Sequence, residues 1–398
     1  MEVSSLRTQP VSLLFDEIRS AHGEGKEKRT VARQSPEGIL KEGEATMNPT
    51  ILSVGTSYPD LALSQPAVYQ SLSDQFGTKL KERTQRIMKR LFLSNNGVER
   101  RFIASSDYVA ICSETQDEQV KRFTHYGTVL GAEAAEECLR KAGFRSEDVD
   151  CLIVNTCTGY LCPGLTSYLI ERCGFRKDIR YYDIMGMGCA GTLPSLELAH
   201  THLKAFPDHL VLVVAVEICS ATFYMDDDIG LLVSNSIFGD GSGALLLGNG
   251  VHGRGTEILD FETLVYPEHR ERLRYRTENC RLRNVLHKTV PELGAMSSKK
   301  VIANLVNRNG IELAQISHWI IHPGGKKVLD EVRDAVGIPE TSLAASRKIL
   351  RLYGNMSSCS VIFVLEEVLK TACPSKGSLG IMNAFGAGFK NHALLLRF

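Results

Sequence analysis

Three residue types in this chain could together perform acyl-transfer chemistry. Cys189 lies in YYDIMGMGCAGTLPSLELA, where a strand-like run meets two glycines, then the cysteine, then Ala190 and Gly191 opening a helix-like stretch. A thiol there is near the positive end of a helix macrodipole, where unpaired backbone N–H groups favour thiolate. Its small neighbours leave room for a bulky thioester. On residue type alone, a cysteine among small residues is more often a buried structural one, so the chemistry needs partners. His322, in HWIIHPGGKKVLD, follows an apolar strand-like run and precedes Pro-Gly-Gly. That tight turn leaves the ring free to face a pocket. Asn355, in RLYGNMSSCSVIFVLEE, follows Gly354 at a helix start, where capping is the ordinary role of asparagine.

The elements that must hold these residues alternate in type. Strand-like segments fall at 151–155, 181–185, 210–216, 244–247, 318–321, 379–383 and 393–396, and amphipathic stretches at 123–142, 192–205, 326–336 and 357–371. Strand followed by helix, repeated, predicts an α/β layered fold. A strand, a glycine turn and a helix recur at 183–191 and 320–325, which suggests two similar halves. The organisation expected is a first half at 47–250 with the cysteine and a second at 251–398 with the histidine and asparagine. Residues 1–46 are polar and mixed in charge, and read as a flexible extension. A start codon assigned too early, ahead of Met47, is an equally plain alternative.

Composition excludes several classes. Lys+Arg and Asp+Glu both number 46, so no global field draws the chain to nucleic acid or an anionic membrane. No apolar run reaches the roughly 18 residues of a spanning helix, the one at 210–216 ending at Glu217. The eleven cysteines have no evenly framed spacing and no signal peptide before them, and read as reduced thiols in a cytoplasmic protein. Cys157 and Cys162 are too far apart for a CxxC pair, and nothing completes a zinc set, so no metal is expected. No GxGxxG follows a strand. A papain-like protease also uses Cys, His and Asn, but the sequence around Cys189 is not that family's.

Five motifs, GMGCAG, FGDGSGAL, HPGGKKVLD, GNMSS and AFGAGF, occur in an order that resembles the type III polyketide synthases, the chalcone and stilbene synthase family, and among them the bacterial members. The resemblance spans nearly all of residues 51–398. It implies a thiolase-like αβαβα layered fold, a homodimer, and a catalytic triad at Cys189, His322 and Asn355. Cys189 would take an acyl group from acyl-CoA, with His322 as ion-pair partner of its thiolate. His322 and Asn355 would then stabilise the enolate formed when malonyl-CoA loses carbon dioxide. Acyl-CoA and malonyl-CoA are substrates, and no other cofactor is implied. GDGSG would be a turn lining the cavity.

The same resemblance carries binding roles onto other positions. Arg83, Arg86 and Arg90, at helical spacing in KERTQRIMKR, match residues that grip CoA phosphates, work suited to guanidinium groups; a solvated helix face is their ordinary reading. Phe238 matches a gatekeeper phenylalanine, and Asn284 falls where a second phenylalanine is usual. Cys157, Thr158 and Cys162 in TCTGYLCPG, Cys219 and Thr222 in VEICSATF, Ser357 in GNMSS, and Gly386 and Gly388 in AFGAGF match cavity positions. Small residues there imply volume for a fatty acyl-CoA starter and an alkylpyrone or alkylresorcinol product. Chalcone synthase-like or dihydroxyphenylacetyl-CoA synthase-like chemistry with another starter, a ketoacyl-carrier-protein synthase III, and a non-catalytic CoA-binding dimer are the alternatives.

Overall fold

Valine, isoleucine and leucine crowd the central segments so densely that both faces of each strand must be covered. Cys151–Thr156, Val211–Ile218 and Asp240–Gly248 are buried at every position, the pattern of strands enclosed on two sides. Their side chains alternate between two cores. Ile153, Val213, Ala215 and Leu245 enter one, and Leu152, Val154, Val214 and Leu246 the other, as the two-residue strand period requires.

The computed structural model describes residues 48–252, 255–278 and 280–398; the extension expected at 1–46 lies outside them. Nine strands run in the order Ile316–Ile321, Leu379–Gly386, Lys390–Arg397, Thr256–Val265, Thr50–Ser57, Asp240–Gly248, Val211–Ile218, Cys151–Thr156, Arg180–Met185. The two sides of this sheet join where Thr50 pairs with Glu257 and Ile51 with Thr256, with the Ile258 N–H donating to the Pro49 carbonyl at 2.9 Å beside them. On one side Val211–Ile218, Cys151–Thr156 and Arg180–Met185 are parallel. On the other, Ile316–Ile321 is parallel to Leu379–Gly386, which turns back antiparallel into Lys390–Arg397.

Helices cover these two sides in three layers. Thr192–Ala205 and Ser360–Thr371 share a single core with both sides, Leu193, Leu196 and Leu365 meeting Val213 from one and Met382 and Leu394 from the other. Gln116–Ala142 and Leu165–Cys173 cover the far face of the first side. Val290–Arg308 and Lys326–Val336 cover that of the second. The order is helix, sheet, helix, sheet, helix, the layered α/β fold that the resemblance implies. A fourth cluster joins the helices Gln65–Phe76, Glu82–Leu93 and Ile229–Ile237 around Met88, Phe92, Ile237 and Phe238, and roofs the ends of the strands. No described helix is long and apolar enough to cross a membrane.

One sequence expectation fails at this level. The GDGSG segment is no cavity-lining turn: Asp240 begins the strand Asp240–Gly248 and every residue of it is buried. Glycine serves close packing there, a common use of glycine inside strands.

Leu365 is fully buried between the two sides. Leu365→Ala is expected to lower stability by about 2–5 kcal/mol, seen as a shifted urea midpoint. An unshifted midpoint would contradict the central-layer assignment.

Candidate active site

The strand Arg180–Met185 ends in a glycine turn, and Cys189 sits in the single 3-10 turn Gly188–Ala190 before the helix Thr192–Ala205. Gly386 approaches this turn from the C-terminal strand. A Cβ at position 386 would lie 2.5 Å from the Met187 carbonyl and 3.1 Å from the Cys189 amide nitrogen. Glycine is therefore needed for the approach, and it keeps the Cys189 backbone N–H clear of side-chain atoms.

His322 follows directly on the strand Ile316–Ile321. Its main chain is held on both sides, its N–H donating to the Asn383 carbonyl and its carbonyl accepting from the Gly324 N–H, each at 2.9 Å. Its buried Nδ1 has no hydrogen-bond partner among the described residues. Asn355 follows the helix Ala344–Tyr353. Its Oδ1 accepts the Ser357 N–H at 2.8 Å, and its Nδ2 donates to the Gly324 carbonyl at 3.2 Å. The turn-stabilising role and the functional role are thus compatible: the oxygen is occupied by the backbone, and the amide's remaining N–H is the donor a ligand oxygen could meet.

Cys189, His322, Asn355 and Phe238 line one cavity of about 680 Å³ that also has Val233 and Leu286 in its wall. Three separate elements thus deliver the triad types to one space. The Ser357 hydroxyl donates to Cys189 Sγ at 3.5 Å and lies 3.0 Å from Cys157 Sγ.

Burial dominates the electrostatics. It pushes the Cys189 thiol up to about 12, with the negative charge of Glu217 adding to the effect and the Ser357 hydrogen bond opposing it. It pushes the His322 imidazole down to about 3. The helix start alone therefore does not yield the thiolate expected from position; desolvation outweighs it. A lone charge of either sign is disfavoured here, and a thiolate is tenable only with its proton on a neighbouring imidazole.

Glu217, met in the sequence only as the end of an apolar run, is fully buried behind this site. Its carboxylate accepts from the Ser358 hydroxyl, from Thr158 Oγ1 at 2.9 Å and from the Cys157 N–H at 3.1 Å. Burial nonetheless holds its pKa above the ordinary carboxylate value. A charged residue inside a β run was the available signal, since such a group must find buried donors.

Several residues matched to the cavity do other work. Thr158 is occupied by Glu217 and by the Ile218 N–H. Cys219 and Thr222 are buried in one turn, the Thr222 hydroxyl donating to the Cys219 carbonyl at 2.8 Å. Cys162 is exposed, and neither it, Cys219 nor Thr222 lines the cavity of Cys189. Asn284 is buried, accepts from the Ser234 hydroxyl at 3.3 Å, and pairs across a hairpin with Tyr275. Tyr275 was not found from sequence. Burial raises its phenol well above the ordinary value. Tyr275, Cys157, Gly188 and Gly388 line a second cavity, of about 640 Å³, across the nucleophile turn.

Arg83, Arg86 and Arg90 lie exposed on the helix Glu82–Leu93, opposite its buried Thr84, Met88 and Phe92. None forms an ion pair with another described residue. The same helix contributes Leu91 to the cavity wall, and Lys288 and Lys326, unmarked by the motifs, line the cavity as well.

Family models match the chain in two parts: one described as FAE1/Type III polyketide synthase-like protein over residues 63–272, and one described as chalcone and stilbene synthases, C-terminal domain, over residues 261–398. The 3,5-dihydroxyphenylacetyl-CoA synthase of Streptomyces toyocaensis is 32% identical over 368 residues, covering 88% of this chain and 91% of its own. The 1,3,6,8-tetrahydroxynaphthalene synthase of Streptomyces peucetius subsp. caesius is 33% identical over 276 residues, covering 68% of this chain and 73% of its own. The crystal structure of PKS-I from the brown alga Ectocarpus siliculosus shares the fold, with a TM-score of 0.83 over 90% of this chain and 100% of that one at 23% identity.

His322→Gln removes the imidazole that shares the cavity with Cys189 and would take its proton. Alkylation of Cys189 by iodoacetamide at neutral pH is expected to slow by about tenfold or more and to keep rising with pH beyond about 9. A rate and pH profile equal to the unaltered protein's would contradict the coupling.

Proposed function

The chain belongs to the type III polyketide synthase family, and on that premise we propose that it condenses an acyl-CoA starter with malonyl-CoA and cyclises the product, with Cys189, His322 and Asn355 as its catalytic residues. The observation that carries this is the convergence of the three side chains on one cavity.

In loading, Cys189 sulfur attacks the thioester carbonyl while its proton passes to His322, so that neither group holds a charge apart from the other. The carbon–sulfur bond to CoA then breaks, and CoA leaves with that proton. In extension, malonyl-CoA loses carbon dioxide, and the electron pair of the broken bond is held as an enolate whose oxygen takes hydrogen bonds from His322 and Asn355. The enolate carbon attacks the Cys189 thioester, the new carbon–carbon bond forms, and the carbon–sulfur bond to Cys189 breaks. One proton from solvent balances the negative charge that the malonyl carboxylate brought. Arg83, Arg86 and Arg90 hold the CoA phosphates at the rim.

Tyr275 supports a short starter, malonyl-CoA itself included, because it puts an aromatic ring into the wall of the second cavity that Cys157 also lines, beside the nucleophile turn. The two Streptomyces relatives, by name, make small hydroxylated rings. A fatty acyl-CoA starter leading to an alkylpyrone or alkylresorcinol is the second reading, favoured by the apolar wall of Ile229, Val233, Leu286 and Val290.

A homodimer belongs to the same proposal. The edge strand Arg180–Met185 presents Tyr181 and Tyr182 to solvent, and the adjoining loop presents Tyr160 at 73% exposure; an aromatic sheet edge is a surface that a second copy would cover. All eleven cysteines are free thiols, which suits a cytoplasmic enzyme.

Mass spectrometry of products from malonyl-CoA alone and from starters between acetyl-CoA and palmitoyl-CoA tests the reading. Cyclised products with malonyl-CoA alone or short starters are expected, and Tyr275→Gly is expected to extend the profile to longer chains. A marked preference of the unaltered protein for palmitoyl-CoA would contradict the short-starter reading.

A further inference from the structure

Asn355 does not stand alone in its turn. Residues on either side of the cavity are tied by a parallel bridge between Phe238 and Asn355. The Asn355 N–H donates to the Ile237 carbonyl at 2.8 Å, and the Gly239 N–H donates to the Asn355 carbonyl at 3.1 Å. The approach is close enough to demand glycine twice. A Cβ at Gly354, which has φ +73°, would lie 2.6 Å from the Ile237 carbonyl, and one at Gly239 would lie 2.4 Å from the Tyr353 carbonyl.

Arg101 closes this clamp. It has no solvent exposure, and its Cβ lies 3.2 Å from where a Gly239 Cβ would be and 3.5 Å from the corresponding point at Gly354. Its Nη1 donates to the Phe238 carbonyl at 3.1 Å and also to the Asn235 carbonyl. These carbonyls close the C-terminal end of the helix Ile229–Ile237, where a cation is favoured. The guanidinium packs 5.5 Å from the ring of Phe92 and 5.9 Å from that of Phe223. Phe92 belongs to the helix that carries Arg83, Arg86 and Arg90. Both hydrogen bonds to these carbonyls come from Nη1, while the buried Nε and Nη2 have no hydrogen-bond partner among the described residues, so the Phe238 and Asn235 carbonyls are what this costly buried charge is spent on.

We propose that Arg101 is a positioning residue for decarboxylation: by holding the Phe238 carbonyl it fixes the strand-like bridge that sets Asn355, and so aims the Asn355 amide at the malonyl thioester oxygen. In the mechanism proposed above loading is carried by Cys189 and His322, and decarboxylation by His322 and Asn355, so an effect passed through Asn355 falls mainly on decarboxylation. The inference rests on the function proposed above.

The test measures the two partial reactions separately in the full chain. Acyl transfer to the protein from a starter acyl-CoA is followed by intact mass, and malonyl-CoA decarboxylation without starter is followed by release of acetyl-CoA. Arg101→Lys keeps the charge with fewer donors, and Arg101→Gln keeps donors without charge; either one that folds suffices. The expected result is a fall in decarboxylation kcat of about tenfold or more, with the KM for malonyl-CoA and the loading rate changed by less than about threefold. Gly354→Ala, which strains the clamp from the other side, is expected to show the same split. Equal losses in loading and decarboxylation, or undiminished decarboxylation in a folded Arg101 variant, would overturn the inference. An unaltered chain that releases no carbon dioxide from malonyl-CoA would instead overturn the proposed function.

Discussion

Burial pushes the Cys189 thiol up to about 12 and the His322 imidazole down to about 3, so neither holds a charge alone, while together they can exchange a proton without leaving one stranded. Other features of the site are consistent with this constraint. The hydrogen bond that reaches Cys189 Sγ comes from a neutral group, the Ser357 hydroxyl. The buried carboxylate behind this site is surrounded by hydroxyl and amide donors. A decarboxylating substrate suits such a cavity, because the anionic carboxylate leaves as a neutral molecule and the developing enolate meets fixed donors in a low dielectric.

The fold answers the constraint by fixing backbones before side chains. Each member of the triad sits in a turn directly after a strand or helix, and each turn is held by main-chain hydrogen bonds. The central helices Thr192–Ala205 and Ser360–Thr371 lock the two sides of the sheet together, and Gly386 lets the C-terminal strand reach the nucleophile turn. The clamp from Arg101 through Phe238 to Asn355 extends the same logic to the roof. Position is set by packed main chain, the backbones of His322 and Asn355 being held by hydrogen bonds to neighbouring segments.

Much of this was legible in the sequence. The helices 192–205 and 326–336 coincide with their observed bounds, since glycine precedes each and, in the second, a strong apolar period marks the buried face. The seven strand segments expected all fall within or across observed strands, with ends off by a few residues, while Thr256–Val265 in the same sheet and the hairpin of Leu273–Glu278 and Arg281–Leu286 were not anticipated. Motif order brought Cys189, His322 and Asn355 together, where residue type alone favoured a structural cysteine and a capping asparagine. What escaped was whatever depends on pairing between distant segments. Tyr275 is placed by its hairpin partner Asn284; Glu217 reads as the end of an apolar run until its hydroxyl partners, from segments some 60 to 140 residues away in the chain, are known; and Arg101 resembles an ordinary basic residue beside Arg100. The lining of the second cavity escaped for the same reason, because counting small residues along one strand says nothing of an aromatic such as Tyr275, which lines it with Cys157, arriving from another.

The most direct test of the central claim is to trap the acyl-enzyme. The full chain is incubated with a short acyl-CoA, quenched in acid, digested and mapped by mass spectrometry. The expected result is the acyl mass on the peptide containing Cys189. Acyl mass on another residue such as Cys157, or product formation with no acylated Cys189 at any time, would contradict the assignment of Cys189 as the nucleophile.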